Sequence, residues 1–316
     1  MRIIANADDV TTDLLSQWLG LDVVAFDAAE EGSNWARHIK VSVATVSGIR
    51  KAIRIKCVSG GTFSQSECDY YTKDYRTIIH PPFPNIYATG YSPAQGYYIV
   101  MDDLSETHTD RKRLPPTRDH AFALVDALAS LHRCHWERGT PPSDAQIEHY
   151  LETVTAGAHN LASASGHPGL VDHIGIINDE VRNRWRNPKG MTLLHGDANP
   201  TNVLTPNGAD GPVLLIDRQP FDWSLTYGPG VYDIAYATTL WWDSSFWIPI
   251  AQELVARWHT AISPNDYSLT DAMSDWEQAV RQCIHVPSEW CSDRQQVAEM
   301  RWLWSWQLRN LGFQCE

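Results

Sequence analysis

The sequence of 316 residues predicts an α+β fold in two lobes. We expect a small antiparallel β-sheet lobe over residues 1–104 and a mostly helical lobe over residues 105–316. Before residue 104, several stretches alternate apolar and polar residues with the period of a β-strand, whereas apolar residues after 118 recur at helical spacing. The polar, proline-containing run 105–118 is typical of a connection between two such lobes.

The composition is that of a globular protein and limits its partners. Hydrophobic residues make up 43% and charged residues 20% of the chain, and a net charge of −13 argues against a nucleic-acid partner, because phosphate neutralisation needs clustered Lys and Arg. The sequence contains neither a membrane-spanning run nor a secretory signal, and its six cysteines form no C-x-x-C pair. We therefore expect a cytoplasmic protein with reduced thiols and no membrane partner. The oligomeric state is left open.

The first lobe is predicted to begin with a helix and two strands. Apolar residues recur at helical spacing over 8–20, and the stretches 21–26 and 38–46 have the composition of strands. Gly32 and Ser33 lie between these strands, where backbone N–H groups and a hydroxyl could bind nucleotide phosphates. An ordinary hairpin turn explains the same two residues as well.

Two more strands are predicted in this lobe. One covers residues 51–58, and the other, 97–101, leads into Asp102 and Leu104.

The second lobe is predicted to begin with three helices. The first covers 118–132, and Ser143 with Gln146 forms a capping box that starts the second. The third covers about 169–186 and is followed by a proline and a glycine that stop it.

The most informative segment is 193–204, which precedes a turn-rich stretch and the apolar run 213–216. The simplest geometry is a hairpin with Asp197 and Asn202 on the loop before it and Asp217 at the end of its second strand. Phosphoryl transfer needs a carboxylate to orient and deprotonate a hydroxyl, and an amide oxygen and a second carboxylate to hold Mg²⁺. The spacing therefore predicts a phosphotransferase site.

Two motifs in this region resemble those of the kinase-like small-molecule phosphotransferases, the aminoglycoside phosphotransferase and choline kinase group. The first is His195-Gly196-Asp197 followed, after four residues, by Asn202, and the second is Asp217-Arg218-Gln219. Protein kinases have H-R-D-x-x-x-x-N followed by D-F-G. The glycine in the first motif and the Ile-Asp-x-Gln of the second are more similar to small-molecule kinases. The nearest branch is the ecdysteroid-kinase-like one, whose usual Ile-Asp-Phe-Gln has arginine in place of phenylalanine here.

This resemblance implies a two-lobed protein-kinase-like fold that uses ATP and Mg²⁺. The expected reaction is phosphorylation of a hydroxyl group on a small molecule, and an aminoglycoside, an amino alcohol, a sterol or a specialised metabolite all fit.

The resemblance also implies roles for residues of the second motif region. Asp197 is the expected catalytic base, and Asn202 and Asp217 are the expected Mg²⁺ ligands. His195 is expected to shape the loop. Asp233, in the next predicted helix, is expected to accept hydrogen bonds from the loop backbone.

In the first lobe the resemblance implies a lysine that binds nucleotide phosphates and is held by a glutamate. Lys56 and Glu67 are the candidates, with Arg54 as a rival to the lysine, because residues two apart share one face of a strand. The backbone at Asp102 and Leu104 is expected to bond the adenine edge.

Nine tryptophans follow residue 240. At helical spacing such residues are usually core, and the alternative is that some line the acceptor pocket by stacking or cation–π contact. They are Trp241, Trp242, Trp247, Trp258, Trp276, Trp290, Trp302, Trp304 and Trp306.

Three other functions are compatible with parts of this pattern. A degenerate kinase-like protein would bind nucleotide without transferring phosphate. A protein kinase is less favoured, because residues 218–232 are too few for a peptide-docking segment between Asp217 and Asp233. A metal-dependent hydrolase would leave Lys56 and Glu67 unexplained.

Overall fold

The chain divides into two compact units. The computed structural model describes residues 3–32, 36–60, 65–112, 114–208, 211–218 and 226–313. The first unit comprises residues 1–109 and 205–222, and the second comprises 110–204 and 223–316. The sequence placed the boundary after residue 104 and assigned all later residues to the second lobe. The described residues of 205–218 instead belong to the first unit, where Leu215 N–H donates to Pro82 O at 2.7 Å.

Within its described residues, the first unit contains a five-stranded sheet in the order β1-β2-β3-β5-β4, with every neighbouring pair antiparallel. A 3₁₀ turn (Ala7–Asp9) opens the chain. The elements that follow are α1 (Thr12–Leu19), β1 (Val23–Gly32), β2 (Arg37–Thr45), β3 (Arg50–Ser59), α2 (Ser66–Asp69), a π-helix (Tyr70–Asp74), β4 (Ile86–Ser92) and β5 (Gly96–Asp102).

One face of this sheet carries the apolar core of the first unit. Ile39, Ile53 and Ile55 are buried there together with Leu15 of α1. Helix α1 ends where the sequence predicted, because Gly20 adopts the left-handed conformation at φ 63° that favours glycine. Strand β1 is longer than predicted, since its pairing with β2 continues through Gly32.

Five short strands complete the β structure of the described residues. They are β6 (His108–Asp110), β7 (Met191–Leu193), β8 (Val203–Pro206), β9 (Leu214–Leu215) and β10 (Tyr227–Pro229). Strands β7 and β10 pair, and β6, β8 and β9 form a sheet in that order. The predicted hairpin is confirmed, because β8 and β9 are neighbours.

The second unit is mostly helical, as predicted. Its helices are α3 (Arg118–Cys134), α4 (Asp144–Ser165), α5 (Leu170–Trp185), α6 (Val231–Thr239), α7 (Ser244–Trp247), α8 (Ala251–Ile262), α9 (Leu269–Gln282), α10 (His285–Trp290), α11 (Arg294–Glu299) and α12 (Arg301–Asn310). The capping box predicted at the start of α4 is present: Ser143 Oγ accepts from Gln146 N–H, and Gln146 Oε1 accepts from Ser143 N–H. A helix long and apolar enough to cross a bilayer is not found in the described part of the chain.

The core interpretation of the tryptophans is confirmed for most of them. Five of the nine are buried, whereas Trp302 and Trp306 on α12 are exposed. The buried ones are Trp242, Trp247, Trp258, Trp276 and Trp304.

A fully buried histidine makes the stability of the second unit depend on pH. His285 accepts a hydrogen bond from Tyr150 or donates one to it at 3.1 Å, and burial lowers the pKa of His285 from 6.5 to about 3. Between these values the unfolded chain binds a proton that the folded chain does not. Stability should therefore fall as the pH is lowered from 6.5 towards 3, by on the order of 1 kcal/mol for each pH unit.

Urea unfolding of the wild type and His285→Gln at several pH values between 4 and 7 measures this contribution. The variant should show the shallower loss of stability on acidification, because other titrating groups are common to both proteins. Equal slopes would contradict the assignment.

Candidate active site

Lys56 lies on β3 and faces away from the apolar core. Its neighbours Ile55 and Cys57 belong to that core, so strand alternation places Lys56 on the opposite face. Lys56 is buried, and its Nζ donates to both carboxylate oxygens of Glu67 at 2.9 Å and pairs with Asp217 Oδ1 at 2.8 Å. One ammonium therefore joins two carboxylates.

Arg54, the alternative to Lys56, has other partners. Arg54 pairs with Glu31 at 3.4 Å and with Asp103 at 3.5 Å. The lysine–glutamate contact is thus made by Lys56.

Glu67 is positioned by α2, which continues as the π-helix from Tyr70. This segment carries Tyr70 and Tyr71, and its second part has the wider turn of a π-helix. Glu67 is fully buried and accepts a further hydrogen bond from the Tyr97 hydroxyl on β5. Its carboxylate is therefore held from two strands of the sheet, β3 and β5.

The two carboxylates keep Lys56 charged. Burial lowers the pKa of Lys56, but the charges of Asp217 and Glu67 and their hydrogen bonds outweigh it and raise the pKa above its ordinary value. Burial acts in the opposite sense on an acid and raises the pKa of Glu67, against the charge of Lys56. A positive charge is thus fixed at the Nζ position.

Asp217 follows β9 in an unusual backbone conformation. Its φ of 58° lies in the left-handed region, which aspartate tolerates better than most residues. Its N–H donates to the Tyr71 hydroxyl at 3.3 Å, and its side chain is 34% exposed. Asp217 is therefore tied to the π-helix through its backbone while its carboxylate remains accessible.

In the second unit, the loop after β7 is shaped by a buried carboxylate. Asp233 of α6 accepts from His195 N–H at 2.7 Å and from Gly196 N–H at 2.8 Å. Gly196 has a φ of 78°, which favours glycine at this turn. His195 is buried, and its Nδ1 accepts from Asp197 N–H at 3.3 Å. Asp233 and His195 thus both hold the loop in its shape.

A buried chain of hydrogen bonds orients Asp233. Trp258 Nε1–H donates to His132 Nδ1 at 2.9 Å, so His132 Nε2 carries the proton that it donates to Asp233 Oδ2 at 2.9 Å. Burial raises the pKa of Asp233, but the hydrogen bonds from His132 and from the loop backbone outweigh it and hold the pKa below its usual range. Asp233 therefore stays ionised.

Asp197 is partly buried and held through both oxygens. Its Oδ1 accepts from Asn199 Nδ2 at 2.8 Å and from the Tyr236 hydroxyl at 2.5 Å, while its Oδ2 accepts from Asn202 Nδ2 at 2.9 Å. Burial, and then the charge of Asp197, raise the pKa of Tyr236 well above its ordinary value, so Tyr236 remains a donor. The carboxylate is thereby fixed in one orientation.

The oxygen donors present suit Mg²⁺. A cluster of three or more His, Cys, Asp or Glu side chains able to hold a metal is not found among the described residues. Mg²⁺ requires no such cluster, since it usually takes one or two protein oxygens together with substrate phosphates and waters. Asn202 uses Nδ2 to bond Asp197, and its Oδ1, which accepts from Thr201 Oγ1 at 3.2 Å, has a second lone pair that could bind a metal. The accessible carboxylate of Asp217 is a second oxygen donor.

The remaining predicted positions are placed as follows. Gly32 ends β1, and Ser33 lies outside the described residues. Asp102 ends β5, and its backbone N–H donates to Asn85 O at 3.1 Å. The Leu104 carbonyl accepts from His108 N–H at 2.8 Å. The chain itself therefore uses polar atoms at both predicted adenine-binding positions.

Sequence reasoning missed three contributors. Tyr236 lies one helical turn after Asp233, and this i, i+3 spacing was a usable signal. No sequence signal linked His132 and Trp258 to Asp233, because both are distant from it in sequence.

These features are the ones expected of a phosphotransferase of kinase-like fold that acts on small molecules. The model of the phosphotransferase enzyme family, APH, matches residues 76–276, which is more than half of the chain. The chain therefore belongs to this family and is a small-molecule kinase. The match includes Asp197, Asn202 and Asp217 but begins after Lys56 and Glu67.

Solved structures of similar fold support the architecture. The aminoglycoside phosphotransferase APH(3'')-Id from Streptomyces rimosus, in complex with ADP and streptomycin, is 15% identical with a TM-score of 0.52, covering 88% of this chain and 98% of that one. The macrolide 2'-phosphotransferase MphH from Brachybacterium faecium is 15% identical with a TM-score of 0.51, covering 96% and 97%. No curated protein matches the sequence. At these identities the likeness concerns the fold alone.

Proposed function

We propose that the protein transfers the γ-phosphoryl group of ATP, with Mg²⁺, to a hydroxyl group of a small molecule. The observation that carries this proposal is the buried Lys56 ammonium held between Glu67 and Asp217. A buried, fixed positive charge next to an accessible carboxylate suits a phosphate chain and its metal ion.

Asp197 is the proposed base. Its carboxylate accepts the proton of the acceptor hydroxyl as the acceptor oxygen bonds to the γ-phosphorus, and the bond from that phosphorus to the β,γ-bridging oxygen breaks to release ADP. The hydrogen bonds from Tyr236 and Asn202 keep the carboxylate oriented for this step.

Lys56 would bind the phosphates, and Glu67 would hold its ammonium in place. Asn202 and Asp217 would hold Mg²⁺, which, when bound, neutralises charge on the phosphate oxygens. Gly32 and Ser33 are the proposed phosphate-binding turn, and the backbone near Asp102 and Leu104 is the proposed adenine contact. The acceptor belongs to the hydroxylated amines, sugars, sterols or specialised metabolites.

Thermal unfolding with and without ATP plus Mg²⁺ tests the proposal. A ligand at a hundredfold excess over its Kd stabilises the folded state by about 2.7 kcal/mol, which is readily measured. The wild type should show a Mg²⁺-dependent rise in Tm that Asp217→Ala loses. Asp126→Ala, which removes one partner of an exposed ion pair with Arg257, should retain it.

A second set of measurements identifies the acceptor. The wild type with ATP and Mg²⁺ is incubated with a library of hydroxylated amines, sugars and sterols, and ADP release is recorded. Release that requires one class of compound names the acceptor. A wild type that shows neither a nucleotide shift nor acceptor-dependent ADP release would overturn the proposal.

A further inference from the structure

Arg218 occupies the position directly after the proposed metal ligand. The resemblance leads one to expect phenylalanine there, yet the arginine is buried, with its side chain 3% exposed. Its Nη1 donates to Asp74 Oδ2 at 2.5 Å, and its guanidinium carbon lies 5.8 Å from the centre of the Tyr70 ring. Asp74 is 25% exposed. A buried charge is therefore neutralised by a specific partner on the π-helix.

This ion pair closes a ring of contacts within the first unit. Glu67 and Asp74 lie at the two ends of one helical segment, α2 with its π-helix. Glu67 reaches Asp217 through the Lys56 ammonium, and Asp74 reaches the next residue, Arg218, directly. Two consecutive residues are thus held at both ends of the same segment.

The backbone of Asp217 determines the orientation of its carboxylate. Asp217 adopts φ 58°, and its N–H bonds to the Tyr71 hydroxyl, which lies on the π-helix between the two anchors. A non-glycine residue in the left-handed region persists only where its surroundings hold it there. Releasing Arg218 would remove the contact nearest to this backbone and allow the Asp217 carboxylate to turn.

We propose that the Arg218–Asp74 ion pair positions Asp217 for Mg²⁺, in place of an apolar contact. Arg218 is therefore a positioning residue, acting through the backbone of Asp217. This inference rests on the proposed function, because it concerns the metal ligand of that reaction. Buried ion pairs often add little stability relative to apolar groups of similar volume, which favours orientation as the role of this one.

Arg218→Met tests the proposal. Methionine fills much of the same volume without charge but leaves Asp74 without its partner, so the Tm of the nucleotide-free protein should fall, and the Mg²⁺ response is measured from that lower Tm. The Mg²⁺ concentration that gives half of the ATP-dependent rise in Tm should increase about 10- to 100-fold, as is typical when a residue supporting a metal ligand is lost. The KM for the acceptor should remain unchanged. Arg218→Lys, which keeps the charge, should recover part of the Mg²⁺ response.

A matched control separates positioning from stability. Arg184 Nη2 pairs with Asp275 Oδ2 at 2.6 Å in the second unit, and these side chains are only 12% and 11% exposed. Arg184→Met removes an arginine that is also mostly buried in an ion pair, and it should leave the Mg²⁺ midpoint unchanged whatever its effect on Tm. An Arg218→Met midpoint equal to that of the wild type overturns the proposal.

Hydrogen exchange of the nucleotide-free protein keeps the test independent of the proposed function. Backbone amides of residues 215–218 and 70–74 should exchange faster in Arg218→Met than in the wild type and in Arg184→Met. A wild type that ignores Mg²⁺ and ATP would refute the proposed function, and exchange would then decide the positioning role alone. Equal exchange in all three proteins refutes that role.

Discussion

Asp197→Ala is expected to lower turnover by about 10²- to 10⁴-fold, the usual contribution of general-base assistance. The alanine removes the carboxylate that Asn199, Asn202 and Tyr236 hold in place, so no side-chain group remains at this position to take the hydroxyl proton. Turnover is measured as ADP release with the acceptor class found in the library. The Mg²⁺-dependent rise in Tm with ATP should persist, because Lys56 and Asp217 are unchanged.

Two variants make this result specific. Asp197→Asn keeps the size of the side chain but not its basicity and should be similarly inactive. Asp126→Asn alters an exposed aspartate of the same unit and should retain turnover. Near-wild-type activity in Asp197→Ala would show that the base has been assigned wrongly.

Asp233→Ala is expected to destabilise the protein by at least about 3 kcal/mol, because each buried donor that loses its acceptor costs about 1–3 kcal/mol. Three donors lose their acceptor together: the backbone N–H groups of His195 and Gly196, and His132 Nε2. Urea unfolding measures the loss of stability. Turnover should also fall under conditions where the variant is folded, because the loop carrying Asp197 loses its anchor.

Asp275→Ala is the matched control for this variant. It breaks a mostly buried ion pair of the second unit, with Arg184, and should lose stability. Its turnover, measured at a temperature where it is folded, should remain close to that of the wild type. Equal losses of turnover in both variants would mean that Asp233 acts on general stability alone.

Local signals allowed much of the fold to be predicted. Helix α4 begins at a capping box whose two partners are three residues apart, and α1 ends at a glycine that adopts a left-handed conformation. The hairpin of β8 and β9 followed from apolar runs around a turn. Each of these features depends on neighbours in sequence, so the sequence contains the whole of the physical cause.

Features that depend on distant partners could not be predicted in this way. The contact of His132 with Asp233 joins residues 101 positions apart, and that of Trp258 with His132 joins residues 126 apart. The assignment of 205–222 to the first unit likewise depends on packing. In the sequence, Arg218 is a departure from the Ile-Asp-Phe-Gln motif. Its partner Asp74 is 144 positions away and could be identified only from the structure.

The pairing of Lys56 with two carboxylates affects the state of its charge when no nucleotide is bound. Burying an ammonium group without a counterion costs free energy. If phosphates were its only counterions, Lys56 would be buried and unpaired each time the product left. Here Glu67 and Asp217 both serve as counterions to the same cation. Under the proposed function, incoming phosphates exchange with Asp217 as the partner of Lys56, and Asp217 returns when ADP leaves. The lysine is therefore compensated at every stage, and nucleotide binding becomes an exchange of anions at a charge that is never isolated.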